Sequence, residues 1–132
     1  FLKEAERLTQ SIDCCKMVSG TTPKSERERI LNDFKSGKIK VVVNVGVLTT
    51  GFDYPELDTV VMARPTMSLA MYYQIVGREI RPYKGKQSWF IDLAGNINRF
   101  GKIEDLRLVD EGNGKWVVWN KHKQLTNVLF QR

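Results

Sequence analysis

Hydrophobic and polar residues alternate along the chain with two different periods, which predict helices and strands. Leu2, Ala5 and Leu8 stand at helical spacing, whereas "IKVVVNV" is a β-branched run typical of a strand covered on both faces. The predicted elements are, in order, a helix at 2–11, a strand at 14–18, a helix between Thr22 and Gly37, strands at 39–45 and 57–63, a helix at 68–81 and a strand at 88–94.

The order of these elements predicts an α/β fold. Strands that alternate with helices imply right-handed crossovers and a mainly parallel sheet. Thr22 is a good N-cap with Pro23 at the first helical position, and Gly37 ends that helix. Trp89 falls in a predicted central strand, so we expect it in the core.

The pattern changes after about residue 101. "LRLV" and "KWVVW" flank "DEGNG", which predicts a β-hairpin around a glycine-rich turn, and "LTNVLF" is a further strand candidate. The sequence therefore predicts an α/β domain at residues 1–103 and a β-rich extension at residues 104–132.

Composition narrows the class of protein without deciding it. The 132 residues carry a net charge of +6, and all of that excess lies in residues 63–132, with twelve Lys and Arg against six Asp and Glu. This basic half favours a polyanionic partner.

No apolar run reaches membrane length, adjacent Cys14 and Cys15 are not spaced for a disulfide, and His122 is the only histidine. We therefore expect an intracellular, cytoplasmic protein without a metal centre of its own, and Phe1 at the start predicts a piece of a larger protein.

The first stretch with candidate chemistry is "VLTTGFDYPELDTVV". It leaves a buried strand and reaches the edge where parallel sheets bind ligands. Thr49 and Thr50 offer hydroxyls, Gly51 permits close backbone approach, and Asp53 is able to accept hydrogen bonds from a ribose. An ordinary connection with a turn aspartate is the alternative.

The second stretch is "QIVGREIRP". Gln74, Arg78 and Arg81 are four and three residues apart, so they share one helix face. Two guanidinium groups on an exposed face suit a phosphate chain. The alternative is a solvated polar face, but such a face would not need Gly77, whose cost inside a helix is about 1 kcal/mol relative to alanine.

Taken together, the two stretches resemble motifs V and VI of the superfamily II helicases, in their second RecA-like domain. "VLTTGFDYP" matches the motif V pattern, "QIVGREIRP" matches Q-x-x-G-R-x-x-R-P, and "VSGTTPKSERERILNDFKSGKIKVVVNV" looks like the segment before motif V. Within the DEAD/DEAH-type helicases the chain is most similar to the branch of restriction translocases and XPB-like repair helicases. The resemblance covers roughly residues 1–100 and implies a three-layer α/β/α fold that lacks its first strand, which carries motif IV.

The resemblance also implies the roles of single residues. Arg81 would be the arginine finger, Arg78 a second γ-phosphate contact, and Gln74 a link between nucleotide and domain contacts. Asp53, beside Gly51, would hold the ribose of ATP. Gly20, Thr49 and Thr50 would contact nucleic acid; Val45 stands where many relatives have a threonine or serine for that purpose.

The sequence contains neither G-x-x-x-x-G-K-[ST] nor D-E-x-[HD]. ATP and Mg²⁺ would therefore be held mainly by an N-terminal RecA-like domain of the same polypeptide, and this chain alone is expected to be a monomer without ATPase activity. The resemblance favours DNA as the nucleic acid, with RNA left open. Two other functions stay open on the residues alone: a non-enzymatic nucleic-acid-binding module, and another doubly wound nucleotide-binding domain.

Overall fold

A computed structural model describes residues 2–48, 52–79 and 85–126 of the chain. The chain divides into two compact units, Phe1–Tyr54 and Pro55–Arg132, which are described separately below. In these residues no helix is both long enough and apolar enough to cross a bilayer.

The first unit is built on a pair of parallel strands flanked by helices. Its described elements are α1 (Leu2–Ser11), β1 (Cys15–Ser19), α2 (Lys24–Lys35) and β2 (Val41–Val45). Cys15 pairs with Val41 and Ser19 with Val45, so both strands end at the same edge. Val18, Ile30 and Ile39 form the buried core of the unit. The predicted order of elements is confirmed here.

Two local predictions for this unit are wrong. Helix α2 begins at Lys24 with Pro23 before it, and the Thr22 hydroxyl does not cap the helix. That hydroxyl instead accepts a hydrogen bond from the backbone N–H of Ser19 at 3.0 Å, because the tight turn after β1 uses it. Strand β2 is also not covered on both faces, since its residues are half-buried and Asn44 is exposed.

The second unit begins with another parallel pair and its helices. The described elements are β3 (Thr59–Met62), α3 (Leu69–Glu79), β4 (Trp89–Asp92) and α4 (Asn96–Phe100). Thr59 pairs with Trp89 and Met62 with Asp92. Met62, Tyr72, Val76 and Phe100 form the core, against which Phe90 also packs. The predicted end of this helix at residue 81 falls outside the described residues.

Strand β4 presents its two faces to different surroundings. Phe90 packs on Tyr72 with ring centroids 6.1 Å apart, whereas Trp89 and Ile91 point the other way and are 56% and 42% exposed. Successive residues of a strand face opposite sides of the sheet. The side of β4 that carries Phe90 is covered by Tyr72, and the side that carries Trp89 and Ile91 is exposed. The prediction that Trp89 lies in the core is therefore wrong.

The chain continues into an antiparallel sheet after a short 3₁₀ helix. That helix is Ile103–Asp105, and the strands are β5 (Leu106–Asp110), β6 (Trp116–Asn120) and β7 (Lys123–Gln124). Asn113 and its two flanking glycines adopt positive φ in the turn between β5 and β6, which confirms the predicted hairpin. Leu125 packs against the core of the second unit. A domain boundary at residue 103 stays a prediction.

Candidate nucleotide and nucleic-acid site

The edge where β1 and β2 end carries the first group of candidate residues. Gly20 follows β1 directly and is exposed, in a turn that Ser19 and Thr21 stabilise through a 2.9 Å contact between their hydroxyls. Arg27 of α2 donates to the carbonyl oxygen of Thr22 at 3.2 Å. Because β1 and β2 are parallel, Gly20 and the segment that leaves Val45 lie at the same edge of this pair.

The segment after β2 is shaped by a residue that sequence reasoning did not single out. The Asn44 side-chain oxygen accepts hydrogen bonds from the backbone N–H groups of Val47 and Leu48, each at 3.0 Å. Asparagine commonly stabilises turns in this way, so its position at the end of a valine run was the available signal. Thr49, Thr50 and Gly51 follow immediately and lie outside the described residues.

Asp53 stands between two aromatic residues. Tyr54 packs edge-on against Phe34 of α2 with ring centroids 5.5 Å apart, and Phe52 packs against Tyr54 at 6.2 Å. The ammonium group of Lys35 lies 5.6 Å from the centre of the Phe52 ring. These contacts hold the backbone around Asp53 against α2, and the Asp53 side chain is exposed.

Helix α3 carries the second group of candidate residues. Tyr72 and Val76 are 1% and 5% exposed and turn into the core, while Gln74 is exposed. Arg78 lies on the backbone of α3 one turn after Gln74, and its side chain lies outside the described part, as does Arg81 altogether. Gln74 and Arg78 belong to the second compact unit, whereas Asp53 belongs to the first.

Gly77 lies in the last full turn of α3 before Arg78. A Cβ atom added there would meet no atom within 4 Å. Packing inside the described chain therefore gives no reason for a glycine at this position. The observation fits a helix whose exposed side admits a closely approaching group from outside the chain.

The described residues do not fit a metal ion. They contain no cluster of three or more His, Cys, Asp or Glu side chains that could hold one. Asp53 offers a single exposed carboxylate and Gln74 a single exposed amide, and neither by itself forms a metal site. Any Mg²⁺ that accompanies ATP would need ligands other than these.

The two parallel strand pairs and their helices define a RecA-like α/β domain. The sequence profile of the helicase conserved C-terminal domain matches residues 2–82, which is more than half of the chain. The chain therefore belongs to the helicase conserved C-terminal domain family. The predicted superfamily II helicase domain and its α/β fold are confirmed.

Individual relatives agree with this assignment. The chain is 37% identical over 84 residues, 64% of its length, to the 51.5 kDa protein of a Lactococcus phage. It is 39% identical over 105 residues, 75% of its length, to the ATP-dependent RNA helicase dbp5 of Botryotinia fuckeliana. The solved C-terminal domain of the DEAD-box protein Dbp5 is 26% identical with a TM-score of 0.55; the match covers 66% of this chain and 51% of that one. The chain spans only 19% of the length of each of the two sequence relatives.

Proposed function

We propose that this chain is the second RecA-like domain of an ATP-dependent nucleic-acid helicase or translocase, and that it completes the ATP site of a preceding domain. The observation that carries this proposal is helix α3, which is fixed in the core by Tyr72 and Val76 and exposes Gln74 on its surface. Membership of the helicase family supports it. Gln74 and Arg78 of α3 also stand in the stretch that resembles the motif VI pattern Q-x-x-G-R-x-x-R-P.

In this proposal Arg81 is the arginine finger and Arg78 the second contact to the γ-phosphate. Phosphoryl transfer needs positioned positive charge more than covalent chemistry, so arginines on a rigid helix suit the task. Asp53 and Gly51 contact the ribose of ATP. Because the chain contains no P-loop sequence, the phosphates and Mg²⁺ are held by an N-terminal RecA-like domain, and the chain alone is inactive.

The nucleic-acid track is assigned to the edge of the first unit. Gly20, Thr49 and Thr50 provide backbone and hydroxyl groups there that suit phosphate oxygens. Two observations give opposite expectations for the nucleic acid. The dbp5 relative is named an RNA helicase, whereas the motifs resemble a branch of DNA helicases. We expect DNA, and stimulation of ATP hydrolysis by single-stranded DNA against RNA of the same sequence tests that choice.

The test of the ATP site is Arg81→Ala in the complete polypeptide. Steady-state ATP hydrolysis with saturating nucleic acid should fall on the order of 10³-fold, since an arginine finger stabilises charge in the transition state. ATP binding should weaken only modestly. Arg81→Lys should not restore turnover fully, because a point charge does not reproduce the planar fork of a guanidinium group.

Arg107→Ala is the matched control, because Arg107 is an exposed arginine on β5 with no assigned role. Melting curves establish that each variant is folded. Near wild-type turnover by a folded Arg81→Ala variant would exclude Arg81 as the finger and leave Arg78 as the candidate. A complete protein that hydrolyses no ATP with either nucleic acid would contradict the proposal as a whole and favour a non-enzymatic binding module.

A further inference from the structure

Asn96 is a fully buried polar residue whose side chain connects two loops of the second unit. It is 0% exposed, and its amide group makes three hydrogen bonds. The oxygen accepts from the backbone N–H of Thr66 at 2.9 Å; the nitrogen donates to the carbonyl oxygen of Arg64 at 3.1 Å and to the Asp92 carboxylate at 3.0 Å. The loop after β3 is thereby joined to the end of β4.

Asp92 and Arg99 complete this cluster. The Asp92 carboxylate also accepts from the backbone N–H groups of Ala94 and Ile97, at 3.1 and 2.7 Å. Burial alone would raise the pKa of Asp92, but these hydrogen bonds lower its pKa below the ordinary value, so the carboxylate stays charged. Arg99 donates to the carbonyl oxygen of Thr66 at 2.7 Å. Both backbone groups of Thr66 are therefore held by side chains of α4.

From Thr66 the hydrogen bonds continue into helix α3. The Thr66 hydroxyl accepts from the backbone N–H of Ser68 at 3.0 Å, and the Ser68 hydroxyl accepts from the N–H of Met71 at 3.2 Å. Ser68 is thus the N-cap of α3. An unbroken series of hydrogen bonds runs from Asp92 through Asn96 and Thr66 to the first turn of the helix that carries Gln74 and Arg78.

We propose that Asp92, Asn96 and Arg99 form a positioning cluster that sets the direction of helix α3, and thereby the placement of Gln74 and Arg78 in ATP turnover. The proposal deepens the function proposed above and rests on it. None of the three residues is assigned a contact with ATP. Their role is to fix the position of helix α3, which carries Gln74 and Arg78.

The length of α3 explains why its first turn matters. Arg78 lies ten residues beyond Ser68, or about 15 Å along the axis, so a tilt of about 4° at the first turn displaces its backbone by about 1 Å. A misplacement of about 1 Å at a reacting group is able to cost about 10²-fold in rate. Tyr72 and Val76 resist part of such a tilt, so we expect a loss of about tenfold to a hundredfold.

Asn96→Asp is the most informative substitution because it keeps the shape of the side chain. The new oxygen replaces the nitrogen that donates to the carbonyl oxygen of Arg64 and to the carboxylate of Asp92. Each of these contacts then brings two acceptors together, and the new carboxylate is repelled by that of Asp92. Protonation of the new carboxyl restores one donor. Asp92, whose pKa is lowered, contacts position 96 directly, and Arg99, which keeps its charge, donates to the carbonyl oxygen of Thr66 beside it.

The experiment measures ATP hydrolysis and amide hydrogen exchange in the complete polypeptide. For Asn96→Asp we expect kcat to fall about tenfold to a hundredfold at pH 8 with little change in KM for ATP, and the deficit to shrink at pH 6. Exchange should become faster in residues 64–72. Asn98→Ala is the matched control, since Asn98 is an exposed asparagine on the same helix, and it should match the wild type in every measurement.

Thr66→Ala is the second variant, in case Asn96→Asp does not fold. It removes the acceptor for Ser68 without touching the core, and it should also lower kcat and speed exchange at the start of α3. Wild-type kcat in folded Asn96→Asp and Thr66→Ala would overturn the proposal. If Arg81→Ala abolishes turnover while these variants do not change it, the cluster is refuted and the proposed function stands. A wild type without ATPase activity would refute both.

Discussion

The hydroxyl group of Tyr72 provides a direct test of how helix α3 is held to the second unit. Tyr72 is 1% exposed, and its hydroxyl donates to the carbonyl oxygen of Gly101 at 2.9 Å. Its ring stacks on Phe100 with centroids 5.3 Å apart and meets Phe90 edge-on at 6.1 Å. Tyr72→Phe removes the hydrogen bond and leaves the ring contacts in place.

The size of the effect follows from what remains after the substitution. A typical hydrogen bond contributes about 0.5–1.5 kcal/mol to stability, because folding exchanges it for hydrogen bonds to water. Gly101 is half-buried, so water is able to reach its carbonyl in part, and we expect a loss of about 1 kcal/mol for Tyr72→Phe. Tyr72→Ala also removes the ring, and we expect it to cost about 3–5 kcal/mol.

The assay is urea unfolding of the 132-residue chain at pH 7, followed by a melting curve. The midpoint should fall without a change in the m-value, and the melting temperature should drop by about 3–5 °C. Tyr73→Phe is the matched control, because Tyr73 is the neighbouring tyrosine and is 58% exposed. It should change the free energy of unfolding by less than about 0.5 kcal/mol.

The pH dependence adds an independent check. Burial raises the pKa of Tyr72, and the charges of Asp92 and Glu104 add to that effect. A raised pKa contributes stability that is present below the unfolded value of about 10 and is lost as the pH rises through the folded value. The difference between wild type and Tyr72→Phe should therefore shrink above about pH 10. A Tyr72→Phe loss no larger than that of Tyr73→Phe at pH 7 would refute the reasoning.

Two further predictions concern charged groups of the second unit. Asp92→Asn should destabilise the chain at pH 7 by about 1–3 kcal/mol, because it removes a carboxylate oxygen that accepts from the first turn of α4. Since the pKa of Asp92 is lowered, that difference should shrink as the pH falls below about 4, which acid unfolding of both proteins would show. Lys86→Met should cost about 1–2 kcal/mol in urea unfolding, because the Lys86 ammonium donates to the carbonyl oxygens of Pro55 and Leu57 at 3.0 and 2.7 Å. Lys102→Met, at an exposed lysine, is its control, and equal losses would contradict the assignment.

The order of helices and strands was predictable because it depends on local patterns. The valine run before Gly46 could form little except a strand, and the helical spacing of Leu2, Ala5 and Leu8 predicted the first helix. The hairpin turn was signalled by glycines around Asn113. Family-specific motifs placed the chain among helicases, since two short patterns in the right order carry far more information than composition.

The predictions that failed depended on contacts between distant parts of the chain. The exposure of Trp89 depends on which face of β4 packs against Tyr72. The Thr22 hydroxyl does not cap α2, because it accepts a hydrogen bond from the backbone N–H of Ser19. The role of Asn96 was not predictable, because its three partners are Arg64, Thr66 and Asp92, up to 32 residues away. A side chain that satisfies distant backbone groups leaves no periodic signal in the sequence.

The family profile and the folded unit end at different places, and the difference has a physical meaning. The profile matches residues 2–82, whereas the ring of Tyr72 packs against Phe90 and Phe100, and its hydroxyl binds Gly101. Helix α3 therefore lies inside the matched segment, but its position depends on residues that follow that segment. The positioning cluster proposed above, Asp92, Asn96 and Arg99, accordingly lies outside the segment by which the domain is recognised.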